Sequence, residues 1–324
     1  MELEKLFRKK VIFITGKGGV GKSTLSAAVA NYLVQQGEKV LVIDADPAHS
    51  MPDVFGITER IYGSSEKFSD AVNSITQVYA GTSLDLLLLN PLEKRSQFKD
   101  THRIMWLAEL GKELGFYSNL GRMAEFFTLA HTLWKTFGAY DRFVIDNEPS
   151  AGTLDMIENI DGWIDGLENV KTYKPIFNLM FCSNLLDREL AREVKAIIYE
   201  QNGAVINSNK RMLEGVKKIF KNPNYLEPIL ISSPEDAVIR ETHRLRKELE
   251  DRLGIPNRYV VFNKVDTDSA SGENHRNKIK KFKGDSKTEC YVVPYIGTEQ
   301  VDLSNETTAS QSLNLIANLI RCCE

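Results

Sequence analysis

Short apolar runs alternate with longer amphipathic stretches along this chain. The apolar runs predict seven β-strands, at residues 11–15, 39–44, 85–89, 142–146, 228–232, 258–263 and 291–293. Because these runs are continuously apolar rather than alternating, each strand is expected to be covered on both faces. The pattern therefore predicts an α/β fold, with a mostly parallel sheet flanked by helices.

Two of the connecting helices have readable beginnings or ends. After residue 24, apolar side chains recur at helical spacing, and Gly37 supplies a stop before the next strand. A second helix is predicted to begin with Ser233 as its N-cap, followed by Pro234, Glu235 and Asp236 in its first turn.

Two connections are too long to be simple crossovers. Residues 90–138 and 155–227 are predicted to be mainly helical inserts that together form a helical subdomain beside the sheet. The whole chain, 1–324, is interpreted as a single domain carrying these inserts. A polar tract at 267–289 is expected to be an exposed loop with some helix.

Composition narrows the functional classes. The 324 residues are 42% hydrophobic and 26% charged, with a net charge of -3, so no general attraction to nucleic acid is expected. Neither a signal peptide nor an apolar run of about 18 to 20 residues is present, which favours a cytoplasmic protein. The cysteines, at 182, 290, 322 and 323, form no Cys-x-x-Cys pair, so neither a disulfide framework nor a zinc site is predicted.

Candidate chemistry begins directly after the first strand. Residues 16–23 satisfy the P-loop pattern G-x-x-x-x-G-K-[ST] between a predicted strand and a predicted helix. In such a loop the backbone N–H groups surround phosphates, Lys22 pairs with the β and γ phosphates, and Ser23 holds Mg²⁺. The predicted nucleotide-binding residues here are Gly16, Lys17, Gly18, Gly19, Val20, Gly21, Lys22, Ser23 and Thr24.

Longer motifs carry a family resemblance. The loop GKGGVGKST followed by VLVIDADPAHSMPDVFG resembles the ArsA family of deviant Walker A P-loop ATPases, as do VIDNEPSAGTLD, PEDAVIRETHRLRKELE and GIPNRYVVFNKVD. That family contains the arsenite-pump ATPase and the targeting ATPase for tail-anchored membrane proteins. The resemblance, which extends over about residues 10–266, implies a P-loop NTPase fold, ATP and Mg²⁺ as substrate and cofactor, and a homodimer.

The resemblance also implies roles for individual residues. Lys17 is expected to reach the phosphates of the facing subunit's nucleotide, and Asp46 to position and activate the attacking water. Asp146 is expected to hold Mg²⁺, with Asp46 close to the ion. Asp44 is interpreted as a structural residue or an outer Mg²⁺ neighbour, and His49 as a packing residue of the same loop.

The chain departs from the family pattern in two places. Glu148 adds negative charge where the relatives have none, so how this loop is coupled to a client site is open. The Cys-x-x-Cys pairs that join many relatives through zinc are missing after Asp266.

The residues predicted to bind the nucleotide base have two interpretations. By resemblance Asn263 contacts adenine, whereas the N-K-x-D box at residues 263–266 occurs in many GTPases as a guanine-binding box. The wider family context favours ATP.

The leading hypothesis is a homodimeric ATPase that couples hydrolysis to the binding and release of a client protein or membrane partner. Large apolar residues at 106–137 either line a client groove or pack the inserts together. The alternatives are a positioning NTPase of the MinD/ParA class, a metallocentre-maturation NTPase, and a slow nucleotide-gated binding module that uses ATP or GTP.

Overall fold

The structure, a computed structural model, describes residues 2–46, 48–64, 74–89, 120–147, 157–158, 160–169, 203–254, 257–267, 270–286, 288–297 and 300–323. The chain divides into two compact units. The larger comprises residues 1–90, 138–151 and 219–324, and the smaller comprises 91–137 and 152–218. The interpretation as one domain with two helical inserts stays a prediction.

The larger unit is built on one nine-stranded sheet with the order β3-β4-β2-β5-β1-β6-β7-β8-β9. Its strands are β1 (Val11–Gly16), β2 (Val40–Asp44), β3 (Ile75–Gln77), β4 (Leu84–Leu88), β5 (Arg142–Asp146), β6 (Leu226–Ser232), β7 (Tyr259–Val265), β8 (Glu289–Pro294) and β9 (Arg321–Cys322). Among the described strands, only the pairs β3–β4 and β8–β9, at the two edges, are antiparallel.

Helices separate these strands along the chain, and those of the larger unit flank the sheet. Those described are α1 (Glu2–Leu6), α2 (Lys22–Gln35), α3 (Met51–Val54), α4 (Thr58–Tyr62), α5 (Leu120–Thr136), α6 (Ile160–Asn169), α7 (Ala204–Phe220), α8 (Asp236–Leu253), α9 (Ala270–Ser286) and α10 (Glu306–Asn318). The predicted mostly parallel α/β fold is thus confirmed.

The core of this unit lies around β1, whose six residues are all buried between β5 and β6. Helix α2 packs on the sheet through apolar residues such as Leu25, Ala28 and Leu33, as its spacing predicted. Asn31, on the same helix, donates to the Ser310 carbonyl at 3.1 Å and to Asn314 at 2.7 Å, which ties α2 to α10.

Two sequence predictions differ from the structure. The tract predicted as an exposed loop with some helix is helical over most of its length, at α9, because Ile279 and Phe282, three residues apart, are buried and give the polar helix a narrow apolar edge. The Phe282 ring lies 5.4 Å from that of Phe262 on β7. The helix predicted to start at Ser233 instead begins at Asp236, because Glu235 is extended and its carbonyl accepts the first helical hydrogen bonds.

The smaller unit is described at α5, α6 and most of α7. The rings of Phe127 and Trp163 pack edge to face 6.2 Å apart, and Trp134 lies so close to Gly215 that a Cβ there would be 2.0 Å from its ring. Within the described helices these aromatic groups therefore pack α5 against α6 and α7. The rest of the predicted 106–137 apolar stretch, residues 106–119, lies outside the described residues.

Across the described ranges, no helix is both long enough and apolar enough to cross a lipid bilayer.

One buried carboxyl group lies at the amino-terminal edge of the sheet, far along β6 from its carboxyl end. Glu227 is 3% exposed and has Pro228 as its neighbour in the strand. Burial raises the pKa of Glu227 to about 7, although Arg258, Lys9 and Arg8 act in the opposite direction. Because the folded state disfavours the ionised carboxylate, protonation of Glu227 contributes to the stability of the folded protein. That contribution is complete below the ordinary pKa of 4.5 and is lost as the pH rises through about 7.

We therefore expect Glu227→Gln to gain stability relative to the parent protein between pH 5 and pH 8. Each unit of pKa shift corresponds to about 1.4 kcal/mol, so the gain at pH 8 should be about 1 to 3 kcal/mol. Chemical denaturation at the two pH values measures it, with the exposed Glu273→Gln as the matched control. An equal effect of both substitutions at both pH values would contradict the raised pKa of Glu227.

Candidate functional site

The carboxyl ends of the parallel strands place the predicted site residues at one edge of the sheet. Asp44 at the end of β2 and Asp146 at the end of β5 are register partners, and Asp146 also pairs with Ile14 of β1. Loops that follow strands at this edge are the usual ligand-binding loops of parallel α/β sheets. Residues far apart in sequence are thereby brought together beside the P-loop.

The P-loop connects β1 to α2 through residues 17–21. At its start, a Cβ on Gly16 would lie 2.2 Å from the Ile231 carbonyl oxygen, so no larger residue fits there. At its end, Gly21 is in the left-handed region with φ 90° and ψ 30°, and no side chain caps the helix. The first-turn N–H groups of α2 are therefore free of a side-chain cap and suited to an anion.

The two P-loop lysines differ sharply in environment. Lys22 is 6% exposed, and its ammonium donates to the Lys17 carbonyl oxygen at 3.4 Å. Lys17 itself is exposed. One lysine thus lies within its own loop, whereas the other faces outward.

Asp146 is fully buried beside the start of α2. The Ser26 hydroxyl donates to its Oδ1 at 3.0 Å, while its Oδ2 has no hydrogen-bond partner among the described residues. Burial raises the pKa of Asp146 to about 6, and hydrogen bonds from Ser23 and Ser26 act against that rise. The open carboxylate oxygen beside a serine hydroxyl is a ligand pair that Mg²⁺ accepts.

The loop after β2 is held to the P-loop by short polar contacts. Asp44 is buried, and its two oxygens accept the backbone N–H groups of Asp46 at 3.1 Å and Met51 at 3.3 Å. The Ser50 hydroxyl donates to the Ser23 hydroxyl oxygen at 2.7 Å. Burial, followed by the nearby Asp146, raises the pKa of Asp44 well above its ordinary range. The buried Asp44 carboxylate therefore holds the backbone of this loop in place.

Asp46 lies at the turn of the same loop. Its Oδ1 accepts the Ala48 N–H at 3.0 Å, and its carbonyl oxygen accepts the His49 N–H at 2.9 Å. This arrangement leaves Asp46 partly exposed on the P-loop side of the sheet edge. A carboxylate so placed can act as a base or as a neighbour of a metal ion.

His49 adopts a left-handed conformation with φ 45°, which is uncommon outside glycine. Its carbonyl oxygen accepts the Tyr62 hydroxyl at 2.7 Å, and burial lowers the pKa of its imidazole. Tyr62, on α4, thus fixes the turn that carries Asp46. The packing role of His49 stays a prediction.

Asn263 and Lys264 reach the P-loop from the end of β7. The Asn263 amide donates to the Val20 carbonyl at 2.9 Å, and the Lys264 ammonium donates to the Gly19 carbonyl at 2.9 Å. Asn263 therefore contacts the loop directly, and its predicted contact with adenine stays a prediction.

These residues as a set fit a nucleoside triphosphate and Mg²⁺. The glycine loop and uncapped helix suit phosphate oxygens, and the open Asp146 oxygen beside the Ser23 hydroxyl suits a hard cation. Within the described ranges, no three His, Cys, Asp or Glu side chains are arranged to hold a metal ion. The absence of a zinc site remains a prediction.

Four contacts were not predicted from sequence. Those from Ser26, Ser50 and Tyr62 join residues that no motif connects, and Lys264 was considered only as part of a base-reading box. Ser26 alone had a usable signal, since it follows Ser23 by almost one helical turn. Glu148 lies outside the described residues.

Comparisons with known proteins identify a family for this chain. A family model described as anion-transporting ATPase matches residues 9–293. The chain is 28% identical to an ATPase ASNA1 homolog of Dictyostelium discoideum, over 96% of this chain and 89% of that one. It is 26% identical to ATPase GET3A of Arabidopsis thaliana, over 79% of this chain and 67% of that one. It is also 26% identical to ATPase ARSA2 of Chlamydomonas reinhardtii, over 79% of this chain and 68% of that one.

Removing the Tyr62 hydroxyl tests how the 46–50 turn is held. We expect Tyr62→Phe to keep the fold but to speed amide hydrogen exchange across residues 46–50, with a loss of about 0.5 to 1.5 kcal/mol in stability. Hydrogen exchange with mass spectrometry and thermal denaturation measure the two effects. Tyr295→Phe, at a tyrosine that is 63% exposed, is the control. Unchanged exchange in Tyr62→Phe would show that the hydroxyl does not restrain the turn.

Proposed function

Because the chain belongs to the ArsA family of anion-transporting ATPases, we propose that it is a Mg²⁺-dependent ATP hydrolase that works as a nucleotide-gated homodimer. The observation that carries the proposal is the convergence of three groups at one sheet edge: the P-loop, the open Asp146 carboxylate and the Asp46 turn. Phosphoryl transfer needs these three functions together, namely phosphate binding, charge neutralisation and water positioning.

Residues 16–24 bind the triphosphate in this proposal. Their backbone N–H groups and the N-terminus of α2 contact phosphate oxygens, and Lys22 leaves the Lys17 carbonyl to pair with phosphate. The weak 3.4 Å contact that Lys22 now makes is easily exchanged for a charged partner.

Ser23, Asp146 and, from the adjoining turn, Asp46 would hold the magnesium ion. When bound, Mg²⁺ neutralises charge on the phosphates during transfer. The Asp146 carboxyl, whose pKa burial raises, gains a counter-charge in this arrangement and can stay ionised while buried.

Asp46 acts as the residue that orients the attacking water. Its Oδ1 accepts the Ala48 N–H, which fixes the side chain, and its other oxygen accepts no hydrogen bond from the residues that the structure describes. A fixed carboxylate with one oxygen available can accept a proton from water as the new bond to phosphorus forms.

Lys17 acts across the dimer. Its exposed side chain, unlike that of Lys22, is placed to leave its own site. An added cation there would stabilise the negative charge that develops on the transferred phosphoryl group, as an arginine finger does.

The cycle in this proposal couples nucleotide state to a client. ATP draws two subunits together, and hydrolysis lets them separate, so a client bound by the helical inserts is held and then released. Action in the cytoplasm on a client protein or membrane partner follows the family resemblance and is part of the same proposal.

The central test is Asp46→Asn. Because the amide oxygen can still accept the Ala48 N–H, the turn should persist and ATP affinity should stay within about threefold, while kcat falls by at least about a hundredfold. Phosphate release and nucleotide titration measure the two quantities. Lys22→Ala, the matched control, should lose ATP binding itself. Near-normal turnover in Asp46→Asn would remove the water-positioning role.

Mixing variants tests the dimer. We expect Lys17→Ala and Asp46→Asn each to be inactive alone, but an equal mixture to recover roughly a quarter of the parent rate, because half of the dimers are then mixed and each holds one complete site. Steady-state phosphate release after subunit exchange measures the recovery. No recovery, with exchange verified by mass, would place Lys17 in its own subunit's site.

A further inference from the structure

Two hydrogen bonds link the end of β7 to the carbonyl side of the P-loop. The Asn263 side-chain amide donates to the Val20 carbonyl, and the Lys264 ammonium donates to the Gly19 carbonyl, each at 2.9 Å. The Lys264 N–H in turn donates to the Asn263 Oδ1 at 2.9 Å, which orients the amide. Two consecutive loop carbonyls are therefore fixed by two consecutive side chains.

Fixing those carbonyls also fixes the neighbouring N–H groups. In a planar trans peptide the C=O and the following N–H point in opposite directions. With the Gly19 and Val20 carbonyls held toward β7, the N–H groups of Val20 and Gly21 must point away from it. Neither N–H has a protein acceptor among the residues that the structure describes. They are thus presented to a ligand on the opposite side of the loop.

The backbone of β7 is distorted where these contacts are made. The register between β7 and β8 shifts between Phe262 and Val265, and Lys264 has φ 58°, in the left-handed region. A bulge of this kind redirects side chains that a regular strand would point to alternate faces. Here it lets both consecutive side chains reach the same loop.

Packing against Gly21 shows how closely the two segments fit. A Cβ at Gly21 would lie 2.4 Å from the Asn263 Nδ2 atom. The amide therefore fills the space that a side chain at 21 would take, which leaves little room for the loop to turn over.

We propose that Asn263 and Lys264 are positioning residues that hold the P-loop peptides in their phosphate-binding orientation before nucleotide arrives. The Lys264 ammonium lies on the carbonyl side of the loop, so it acts on the phosphates through the backbone and not by direct contact. This inference rests on the proposed phosphate-binding role of residues 16–24. It assigns to the N-K pair a function that is independent of the base.

Loss of either side chain should weaken the binding of every polyphosphate ligand by the same factor. In such a variant the P-loop peptides are no longer held in the phosphate-binding orientation, and each binding event must order them again. The affinity therefore falls for every ligand that uses the N–H groups of Val20 and Gly21. Once ATP is bound, the loop is ordered again, and the chemical step proceeds as before. The expected signature is a raised KM with an unchanged kcat.

The test uses Lys264→Met, which keeps the length of the side chain but removes its donor. We expect Kd for ADP and the inhibition constant of Mg-tripolyphosphate to rise by the same factor, about tenfold, with KM for ATP following them and kcat within twofold. Lys264→Arg, which keeps a donor, should recover most of the affinity. Lys280→Met, at an exposed lysine of α9, is the control and should match the parent.

A second pair of variants separates side-chain contact from backbone strain and from base binding. Lys264→Gly removes the same donor but relieves the left-handed conformation, so it should lose affinity as Lys264→Met does while keeping a higher melting temperature. Asn263→Ala should weaken tripolyphosphate, which has no base, as well as ADP.

Specific outcomes would overturn the proposal. Unchanged tripolyphosphate inhibition in both Lys264→Met and Asn263→Ala, with weaker ADP, would make the pair a base-binding element. A fall in kcat without a change in affinity would assign Lys264 to the chemical step. If the parent protein itself fails to bind ADP or to hydrolyse ATP, the proposed function fails; if the parent is active and both variants equal it, only the positioning role fails.

Discussion

Parallel hydrogen bonding of β1 to β5 on one side and β6 on the other determines where the P-loop meets the Asp146 carboxylate. Because all three strands run in the same direction, their carboxyl ends meet, and the loops that follow them face one another. The pairing brings Asp146 level with Ile14, two residues before the P-loop begins. Without this register the serines of α2 and the carboxylate of β5 would not meet.

Burial then gives the carboxyl groups distinct properties. Asp44 uses both oxygens to accept backbone N–H groups, and so it shapes the loop above it. Asp146 uses one oxygen on Ser26 and leaves the other open, so it retains capacity for a cation. Asp46, only two residues beyond the first of these, lies partly in solvent. Hydrogen-bond partners and exposure, rather than residue type, separate a structural carboxylate from those proposed to act on substrate.

Much of this fold was predictable because its signals are local. Continuous apolar runs marked the buried strands, the P-loop marked the β1–α2 junction, and the family resemblance that the motifs carried is confirmed. The short edge strands β3 and β9 were missed, since three and two residues give no periodicity. The extent of helix α9 was underestimated because its buried side consists of little more than Ile279 and Phe282.

The site was predictable only in part. Motifs located the P-loop and the three aspartates, whose proposed roles await experiment. The sequence did not indicate the hydrogen bonds that stabilise the site from other elements. The Tyr62 hydroxyl donates to the His49 carbonyl oxygen, and the Lys264 ammonium donates to a loop carbonyl 245 positions earlier. These contacts depend on how strands are ordered in the sheet, which no local pattern reports. The bulge in β7, which directs the Lys264 side chain toward the P-loop, has no recognisable signal in the amino-acid sequence.

The central position of β1 also has a consequence for synthesis. Its neighbours β5 and β6 lie about 130 and 215 residues later in the chain, so β1 emerges from the ribosome long before either partner exists. At ~5 to 20 residues per second, an apolar strand waits on the order of 10 s for its first partner. Cotranslational chaperones that shield nascent hydrophobic segments would therefore raise the yield of folded protein most strongly if they engaged β1.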